Sequence, residues 1–263
     1  MRYIKEYFGG IWKNRYVLIN LVKQDLEMKY NRSFLGVAWS IATPIGLSVI
    51  IGLIYSVIFS TDPRTFVPLL FAGLNPWNFL SGSADGGTYA YITAEGYIKQ
   101  TTVSPQIFPL RGVMVSFVNL LYSIAAFFFV YLFLAPQNFS FRMLMVFPGL
   151  VIAFFAGAAM ANISSAINLY IRDYQPFQSL VLQGLFYVTP IIFTTDMLDQ
   201  KGFSVLYKIN PFFYLIEAIR TPMLGMKIPP VEVYIVGIVM TVVMYLISII
   251  VTMKTCKGLA LKL

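Results

Sequence analysis

Five long segments of this chain contain no Asp, Glu, Lys or Arg. They are rich in aliphatic and aromatic residues and cover residues 34–60, 112–141, 143–171, 174–195 and 233–253. Each is at least as long as the roughly 20 residues that an α-helix needs to cross a bilayer. Ser, Asn, Gln, Thr, Gly and Pro are interleaved with the aromatic residues, which a simple lipid anchor does not require. The pattern indicates helices that surround a path for something bulky and weakly charged.

The composition points to the same class of fold. Hydrophobic residues make up 58% of the chain and charged residues only 11%, whereas a soluble domain carries about 25% charged residues. Membrane β-strands would alternate polar and apolar residues over about ten positions, and no segment does so. The sequence therefore predicts an all-α polytopic membrane protein. Its six expected transmembrane helices cover residues 34–60, 67–94, 108–135, 143–171, 177–193 and 231–253.

The distribution of Lys and Arg predicts the orientation. Thirteen of the 19 basic residues fall in the N-terminal segment, the loops after the second and fourth spans, and the C-terminal tail. Because loops rich in Lys and Arg stay in the cytoplasm, we expect both termini on that side. The net charge of +8 is then explained by membrane topology and does not indicate nucleic-acid binding.

Residues 1–33 are too polar to span and are predicted to form an amphipathic helix in the cytoplasmic interface, separate from the membrane domain at 34–263. Apolar residues such as Phe8, Leu18 and Val22 recur at helical spacing, with charged residues opposite them. Trp12 and Tyr16 would lie at headgroup depth. The sequence leaves open whether this helix is only a lipid anchor or also docks a partner.

Two loops have unusual patterns. Residues 95–104, after the second span, are long enough for a short cytoplasmic helix that ends before Pro105. Residues 194–230, between the fifth and sixth spans, contain two apolar, amphipathic pieces around Asn210-Pro211 that are too short to cross. Such pieces are tolerated at membrane depth when they are buried in protein. We expect re-entrant or interfacial helices on the external side.

Several kinds of chemistry are excluded by missing motifs. The chain has no Gly-x-x-x-x-Gly-Lys-Ser/Thr loop, so it does not bind ATP through a P-loop. With no His and only Cys256, it offers neither a His-based nor a multi-cysteine metal site. Asp85 is the intramembrane acid, and it is read either as a functional group or as a packing and capping residue.

A set of short motifs extends along nearly the whole chain. They are Asn75-Pro76-Trp77, Tyr97-Ile98-Lys99 with the following Pro105, the Arg172-Asp173 elbow, and Asn210-Pro211. Each motif is weak alone. In this order and spacing they resemble the membrane subunit of ABC-2-type polysaccharide exporters, which carry O antigen, capsule or teichoic acid.

The resemblance implies a homodimer of six-span subunits bound to two copies of a separate ATPase. That partner binds ATP and Mg, so this chain is expected to be a non-enzymatic transport subunit without a cofactor. Residues 95–104 would include the coupling helix, the N-terminal amphipathic helix would be a second contact with the ATPase, and the cytoplasmic elbow would be a third. Residues 194–230 would contain short re-entrant gate helices on the external side. The residues assigned to ATPase coupling are Glu95, Gly96, Tyr97, Ile98, Lys99, Arg172 and Asp173.

The resemblance also implies a substrate, a glycan on an undecaprenyl-diphosphate carrier exported across the bacterial cytoplasmic (inner) membrane. Sugar rings stack on aromatic planes, and their hydroxyls pair with polar side chains. The expected channel-lining residues are Tyr55, Phe59, Trp77, Phe79, Tyr89, Phe186 and Tyr187. The expected pyrophosphate contacts are Lys29, Arg32 and Lys99.

Other functions remain open at this stage. The chain could export teichoic acid, a drug or a small lipid by the same architecture. An integral membrane enzyme acting on a polyprenyl phosphate is a weaker alternative, because such enzymes need clustered acids or His near the interface. A purely structural scaffold does not account for the gate-like region at 194–230.

Overall fold

A computed structural model describes residues 2–30, 36 and 38–259 of the chain. These residues are mostly helical and contain no strand, which confirms the all-α class. Six of the helices coincide within about five residues with the six predicted spans. They are α3 (Ala38–Ile58), α4 (Pro63–Thr93), α6 (Ile107–Leu134), α7 (Val146–Tyr170), α8 (Tyr174–Val188) and α12 (Val231–Cys256).

Shorter helices and two 3₁₀ turns complete the described fold. The turns cover Pro136–Asn138 and Phe141–Met145, and the second continues directly into α7. The remaining helices are α1 (Arg2–Lys13), α2 (Arg15–Tyr30), α5 (Glu95–Gln100), α9 (Thr195–Gln200), α10 (Ser204–Lys208) and α11 (Pro211–Met223).

Four helical segments of the described residues have the length and apolar composition of membrane spans: Ala38–Ile58, Ile107–Leu134, Phe141–Tyr170 and Val231–Cys256. The other two predicted spans also form helices, but they differ in character. Helix α4 has 31 residues, about 46 Å, and carries Asn, Ser, Gly and Asp side chains. Helix α8 has 15 residues, about 22 Å, which is shorter than a hydrocarbon core of about 30 Å.

Helix α4 is the centre of the bundle. It packs against α3, α6, α7, α8 and α11, so its polar residues face protein on most sides. Small residues bring α4 and α7 close together. The α-carbon of Gly87 passes the backbone of Ala161, and Gly157 of α7 fits against the ring of Phe79. This tight contact explains why a helix with so many polar residues is buried in an apolar bundle.

The N-terminal segment forms two helices instead of the single helix expected. The chain turns at Asn14, whose amide nitrogen donates to the carbonyl of Gly10 and to the hydroxyl of Ser104, both at 2.9 Å. Tyr7 is fully buried and accepts a hydrogen bond from Asn162 of α7 at 2.8 Å. Trp12 and Tyr16, in contrast, are 70% and 67% exposed. The segment thus has one face packed on the bundle and one aromatic face outside it.

The two ends of the bundle are defined by these contacts. At the first, here called the α5 end, Gln106 donates to the carbonyl of Tyr7, and Asn168 of α7 donates to that of Thr88 near the end of α4. The opposite end, here called the α11 end, is held by Tyr131, whose hydroxyl donates to the carbonyl of Leu224 at 3.2 Å. Helices α1 and α5 and the α7–α8 turn therefore share one end.

The contact between α4 and α7 can be tested with two neighbouring glycines. A β-carbon at Gly87 would lie 2.5 Å from the α-carbon of Ala161, whereas a β-carbon at Gly86 meets nothing within 4 Å. We expect Gly87→Ala to destabilise the protein by about 1–3 kcal/mol, because an overpacked helix contact must move apart. Gly86→Ala should be neutral or stabilise the helix by up to about 1 kcal/mol.

The measurement is thermal unfolding of the purified subunit in detergent, with Gly86→Ala as the matched control. Equal melting temperatures for the two variants would contradict the close approach of α4 and α7.

Candidate functional site

A polar cavity lies among α3, α4, α6 and the end of α2. Its volume is about 340 Å³, within the range of ligand-binding pockets. Hydroxyl and amide side chains dominate its lining, although α3 and α6 are membrane-length and apolar overall. These side chains belong to Ser40, Thr43, Asn75, Asn78, Ser116, Asn119 and Ser123.

A second cavity extends the first toward the α11 end. It has a volume of about 200 Å³ and shares Pro44, Asn75 and Asn78 with the first cavity. Its far wall is formed by Trp77 and Phe186. We call the two cavities together the polar groove, which runs along one side of α4 between α3 and its neighbours.

Local hydrogen bonds explain how polar residues stay helical inside the bundle. Asn75 donates its amide to the carbonyl of Phe71 at 2.8 Å, and Asn119 donates to the carbonyl of Val115 at 2.9 Å. Ser123 donates to the carbonyl of Asn119 at 3.0 Å. Each bond returns to the preceding turn of the same helix, so the donor is satisfied without a partner helix. These bonds use the amide nitrogens of Asn75 and Asn119 and the hydroxyl of Ser123 as donors.

Lys29, near the end of α2, is the charged side chain among the described residues that line the groove. Its ammonium donates to the amide oxygen of Asn119 at 3.2 Å, and partial burial lowers the pKa of Lys29 from its ordinary value. Helix α2 is held against α6 by Asp25, which accepts two hydrogen bonds from the Arg111 guanidinium, one of them 2.6 Å long. A bidentate pair of this kind fixes orientation as well as distance. The cation is therefore positioned at the α5-end mouth of the groove.

An aromatic cluster borders the second cavity of the groove, with Trp77 and Phe186 in its lining. The ring of Trp77 lies 5.6 Å from that of Phe186 and 5.2 Å from that of Phe212, centroid to centroid. Trp77 is only 5% exposed. The three rings come from α4, α8 and α11, and edge or tilted contacts at these distances are favourable. We call Trp77, Phe186 and Phe212 the aromatic seal.

The structure brings some of the predicted channel-lining rings together and leaves others apart. Trp77, Phe79 and Phe186 line the groove, and Tyr187 is exposed beside Phe186. Tyr89 is exposed on α4, nearer the α5 end.

Two further predicted rings lie elsewhere. Tyr55 and Phe59 stack on each other at 5.6 Å near the end of α3, and Phe59 also contacts Phe66. They do not line either cavity of the groove.

The hydroxyls and amides of the groove were not singled out from the sequence. A signal for them exists, since Ser116, Asn119 and Ser123 recur at intervals of three and four residues within an apolar helix. That spacing places them on one face of α6. Asn75 and Asn78 have the same relation on α4. The prediction named aromatic residues because sugar rings stack on aromatic planes. The polar stripes, however, identify the helix faces that line the groove.

The predicted coupling residues all lie at the α5 end. Helix α5 exposes Gly96 and Tyr97, while Ile98 is buried and anchors it to the bundle. Lys99 forms an ion pair with Glu95 at 2.6 Å, and it is not among the groove-lining residues.

The elbow lies at the same end, and Arg172 and Asp173 are both exposed in the turn between α7 and α8. Arg32, the third predicted pyrophosphate contact, lies outside the described residues.

Asp85 joins three helices. Its carboxylate accepts hydrogen bonds from Gln178 and Ser179 of α8, each at 3.1 Å, and Gln178 accepts one from Ser164 of α7. A carboxylate at this depth costs free energy unless it is hydrogen-bonded. These contacts support the packing interpretation and tie α8 to the centre of the bundle.

Membrane-length helices around a polar groove, with an aromatic seal at one end, define a multi-pass membrane transport protein. The model of the ABC-2 type transporter family matches residues 16–224, and the chain belongs to that family. The resemblance read from the sequence motifs is thereby confirmed. Membership implies an ABC transporter in which an ATPase partner supplies the energy.

Named relatives cover most of the chain. Two proteins of Klebsiella pneumoniae described as "O-antigen export system permease protein RfbA" are each 29% identical to it. The first matches over 233 residues and the second over 234, which are 86% of this chain and 88% of each relative. A Myxococcus xanthus protein with the same description is 25% identical over 224 residues, 84% of this chain and 85% of that protein.

Proposed function

We propose that the chain is the permease subunit of an ABC exporter that moves a lipid-linked surface polysaccharide, with O antigen as the favoured substrate, across the bacterial cytoplasmic membrane. The observation that carries the proposal is the polar groove, because its amides, hydroxyls and rings match the surface of a sugar chain. The printed descriptions of the relatives support the same substrate class. The chain itself is proposed to be non-enzymatic and free of cofactors, with ATP and Mg on the ATPase.

The proposed topology has six crossings and both termini in the cytoplasm. Helices α4 and α8 complete the six, since α4 is shielded by its neighbours and α8 is followed by α9–α11. Helix α11 is buried against α4, α7 and α12, as a re-entrant helix must be. Residues 1–33 form the interfacial unit, with Trp12 and Tyr16 in the headgroup region, and residues 34–263 form the membrane domain.

Sugar transport through the groove follows from the chemistry of its walls. The apolar faces of sugar rings stack on Trp77, Phe79 and Phe186, while their hydroxyls exchange partners among Asn and Ser side chains. Many similar weak contacts let a polymer advance without a deep energy minimum. Tyr89 and Tyr187 extend this path along the exposed faces of α4 and α8, and Tyr55 and Phe59 would meet the glycan at the external exit.

The carrier phosphate is proposed to be recognised at the α5-end mouth of the groove. Lys29 lies there and is partly desolvated, which strengthens its interaction with an anion. Arg32 follows it by three residues, and Lys99 would join from α5. Together they would hold the undecaprenyl pyrophosphate at the cytoplasmic side while the glycan enters.

A second copy of the chain is proposed to complete the path. Gly82, Gly86 and Gly184 lie on faces of α4 and α8 where an added β-carbon would meet nothing within 4 Å. Faces of small residues allow helices of two subunits to approach closely. In the homodimer, each groove would then face a shared central channel.

The α5 end is proposed as the ATPase-binding surface. Its exposed side chains include Tyr97 and Lys99 on α5, and Arg172 and Asp173 in the elbow. Because Asn14 and Gln106 join α1 and α2 to the loop after α5, a push on α5 reaches the N-terminal helices as well. Two ATPase copies would bind two such surfaces.

Filling the groove should stop export. We expect Ser116→Phe to remove most transport, because a phenyl ring occupies a large share of a cavity of about 340 Å³. Ala125→Phe, on a different face of α6 that lines an apolar crevice, is the matched control and should export normally. The measurement is ATP-dependent uptake of lipid-linked glycan into inside-out vesicles that contain the full complex. Normal uptake by Ser116→Phe at equal protein levels would contradict the proposed function.

Changes on α5 should uncouple ATP hydrolysis from export. We expect Tyr97→Ala or Lys99→Ala to lower export about tenfold, as for interface side chains that contribute about 1–2 kcal/mol, while the complex still hydrolyses ATP. Lys201→Ala, an exposed lysine after α9 on the proposed external side, serves as the control. Hydrolysis and export are measured in the same vesicles. Export at the wild-type level in both α5 variants would remove α5 from the coupling path.

A further inference from the structure

The end of α8 is fastened to α11 by two polar contacts. Helix α8 stops at Thr189, whose hydroxyl accepts a hydrogen bond from the amide nitrogen of Asn210 at 2.7 Å. Asn210 also caps α11, since its side-chain oxygen accepts from the backbone N–H of Phe212 at 3.0 Å. One side chain therefore both starts α11 and holds the end of α8.

The second contact comes from a buried arginine. Arg220 of α11 is 4% exposed, and its guanidinium donates to the carbonyl of Pro190, just beyond the end of α8. The same guanidinium pairs with Glu217 one turn earlier, at 2.9 Å from Nε and 2.6 Å from Nη2. Glu217 also accepts from the hydroxyl of Thr221. The carbonyl that follows a broken helix is costly in an apolar bundle, and Arg220 satisfies it.

The ion pair of Arg220 differs from the two polar contacts in what it connects. The ion pair between Glu217 and Arg220 lies within α11, whereas the bonds to Thr189 and Pro190 cross from α11 to α8. If α8 moved away from α11, the cross-segment bonds would break while Arg220 kept its countercharge. A buried charge would not be left unpaired, which is the expensive outcome. The charge of Arg220 would therefore stay paired with Glu217 in both arrangements.

These contacts lie directly beside the aromatic seal. Phe186 precedes Thr189 by three residues and Phe212 follows Asn210 by two, so each polar contact fixes the position of a ring against Trp77. Helix α4 approaches closely at Gly73, where an added β-carbon would lie 3.5 Å from Cδ of Arg220 and 3.4 Å from Ile191. The segment after α8 and helix α11 thus both contact α4 at Gly73, about one turn from Trp77.

We propose that Arg220, oriented by Glu217, and Asn210 form a latch that keeps the external end of the groove closed until α8 moves. This inference rests on the proposed function, since it takes the groove as the transport path. Arg220 and Asn210 are positioning residues for the seal and need not touch the glycan. In this proposal, hydrogen bonds from Asn210 and Arg220 to the end of α8 keep the path closed.

The test uses a variant that releases the latch without stranding a charge. Glu217→Gln with Arg220→Met removes both charges, and replacing a buried ion pair by neutral side chains of similar size is often tolerated. The full complex is reconstituted in proteoliposomes without ATP or glycan, and the leak of a small fluorescent anion is measured. We expect the double variant to leak roughly tenfold faster than wild type, since it loses a charge-assisted hydrogen bond that favours the closed state.

Arg142→Met is the matched control. Arg142 also donates to a backbone carbonyl at the α11 end, that of Met226 at 2.9 Å, but it does not bind α8. It should leave the vesicles as tight as wild type. A tight double variant, or an equal leak from Arg142→Met, would overturn the latch.

A second variant keeps the inference testable if the double variant fails to assemble. Thr189→Val has nearly the same shape as the wild-type side chain and removes only the hydroxyl that receives the Asn210 bond, and it should also leak. A tight Thr189→Val complex would then count against the latch.

The leak assay contains no glycan, so it separates the two hypotheses. A leaking double variant beside a wild-type complex that exports no lipid-linked glycan would leave the latch standing and remove the proposed function. If the wild-type complex exports lipid-linked glycan and the latch variants do not leak, the proposed function stands and the latch is removed.

Discussion

Backbone N–H and C=O groups at membrane depth must be hydrogen-bonded within the protein, and buried charges need partners there as well, and the structure is organised around these requirements. Helix α4 carries the largest set of such groups and is surrounded by five other helices. Asp85 is satisfied by α8, Asn75 by its own preceding turn, and Gly87 allows α7 to come close enough to shield the rest. The apolar spans around α4 provide the shield, and α4 provides the polar surface.

The same requirements explain why the groove and the latch are built differently. In the groove, the amide nitrogens of Asn75 and Asn119 and the hydroxyl of Ser123 donate within their own helices, so these polar side chains lie along the wall without tying two helices together. At the α11 end, Arg220 and Asn210 bond across segments and hold one arrangement. Weak, repeated contacts in the groove allow a polymer to advance. A few stronger contacts at the latch keep the external end closed until α8 moves.

Much of this fold could be predicted from the sequence because a long apolar run in a bilayer forms a helix, which bonds all of its backbone groups internally. The six helical segments, the short helix at α5 and the broken region around Asn210-Pro211 follow from charge placement and proline positions. The turn at Asn14 could not be anticipated, since it depends on a bond to Ser104, 90 residues away. The rings that face the groove were only partly anticipated for a similar reason: Tyr55 and Phe79 have equal aromatic character, and packing alone separates them.

The groove beside α4 is proposed as the route of a glycan, and the accessibility of its wall to a water-soluble reagent tests this proposal. Asn78 lies in both cavities and is exposed, whereas Leu246 is an exposed residue of α12 outside the groove. In a Cys256→Ser background, each is replaced by Cys and treated in the assembled complex with a membrane-impermeant thiol reagent. We expect Asn78→Cys to react, lipid-linked glycan to slow that reaction, and Leu246→Cys to stay unreactive. If Asn78→Cys does not react, or if the glycan leaves its reaction rate unchanged, the groove is not the route of the glycan.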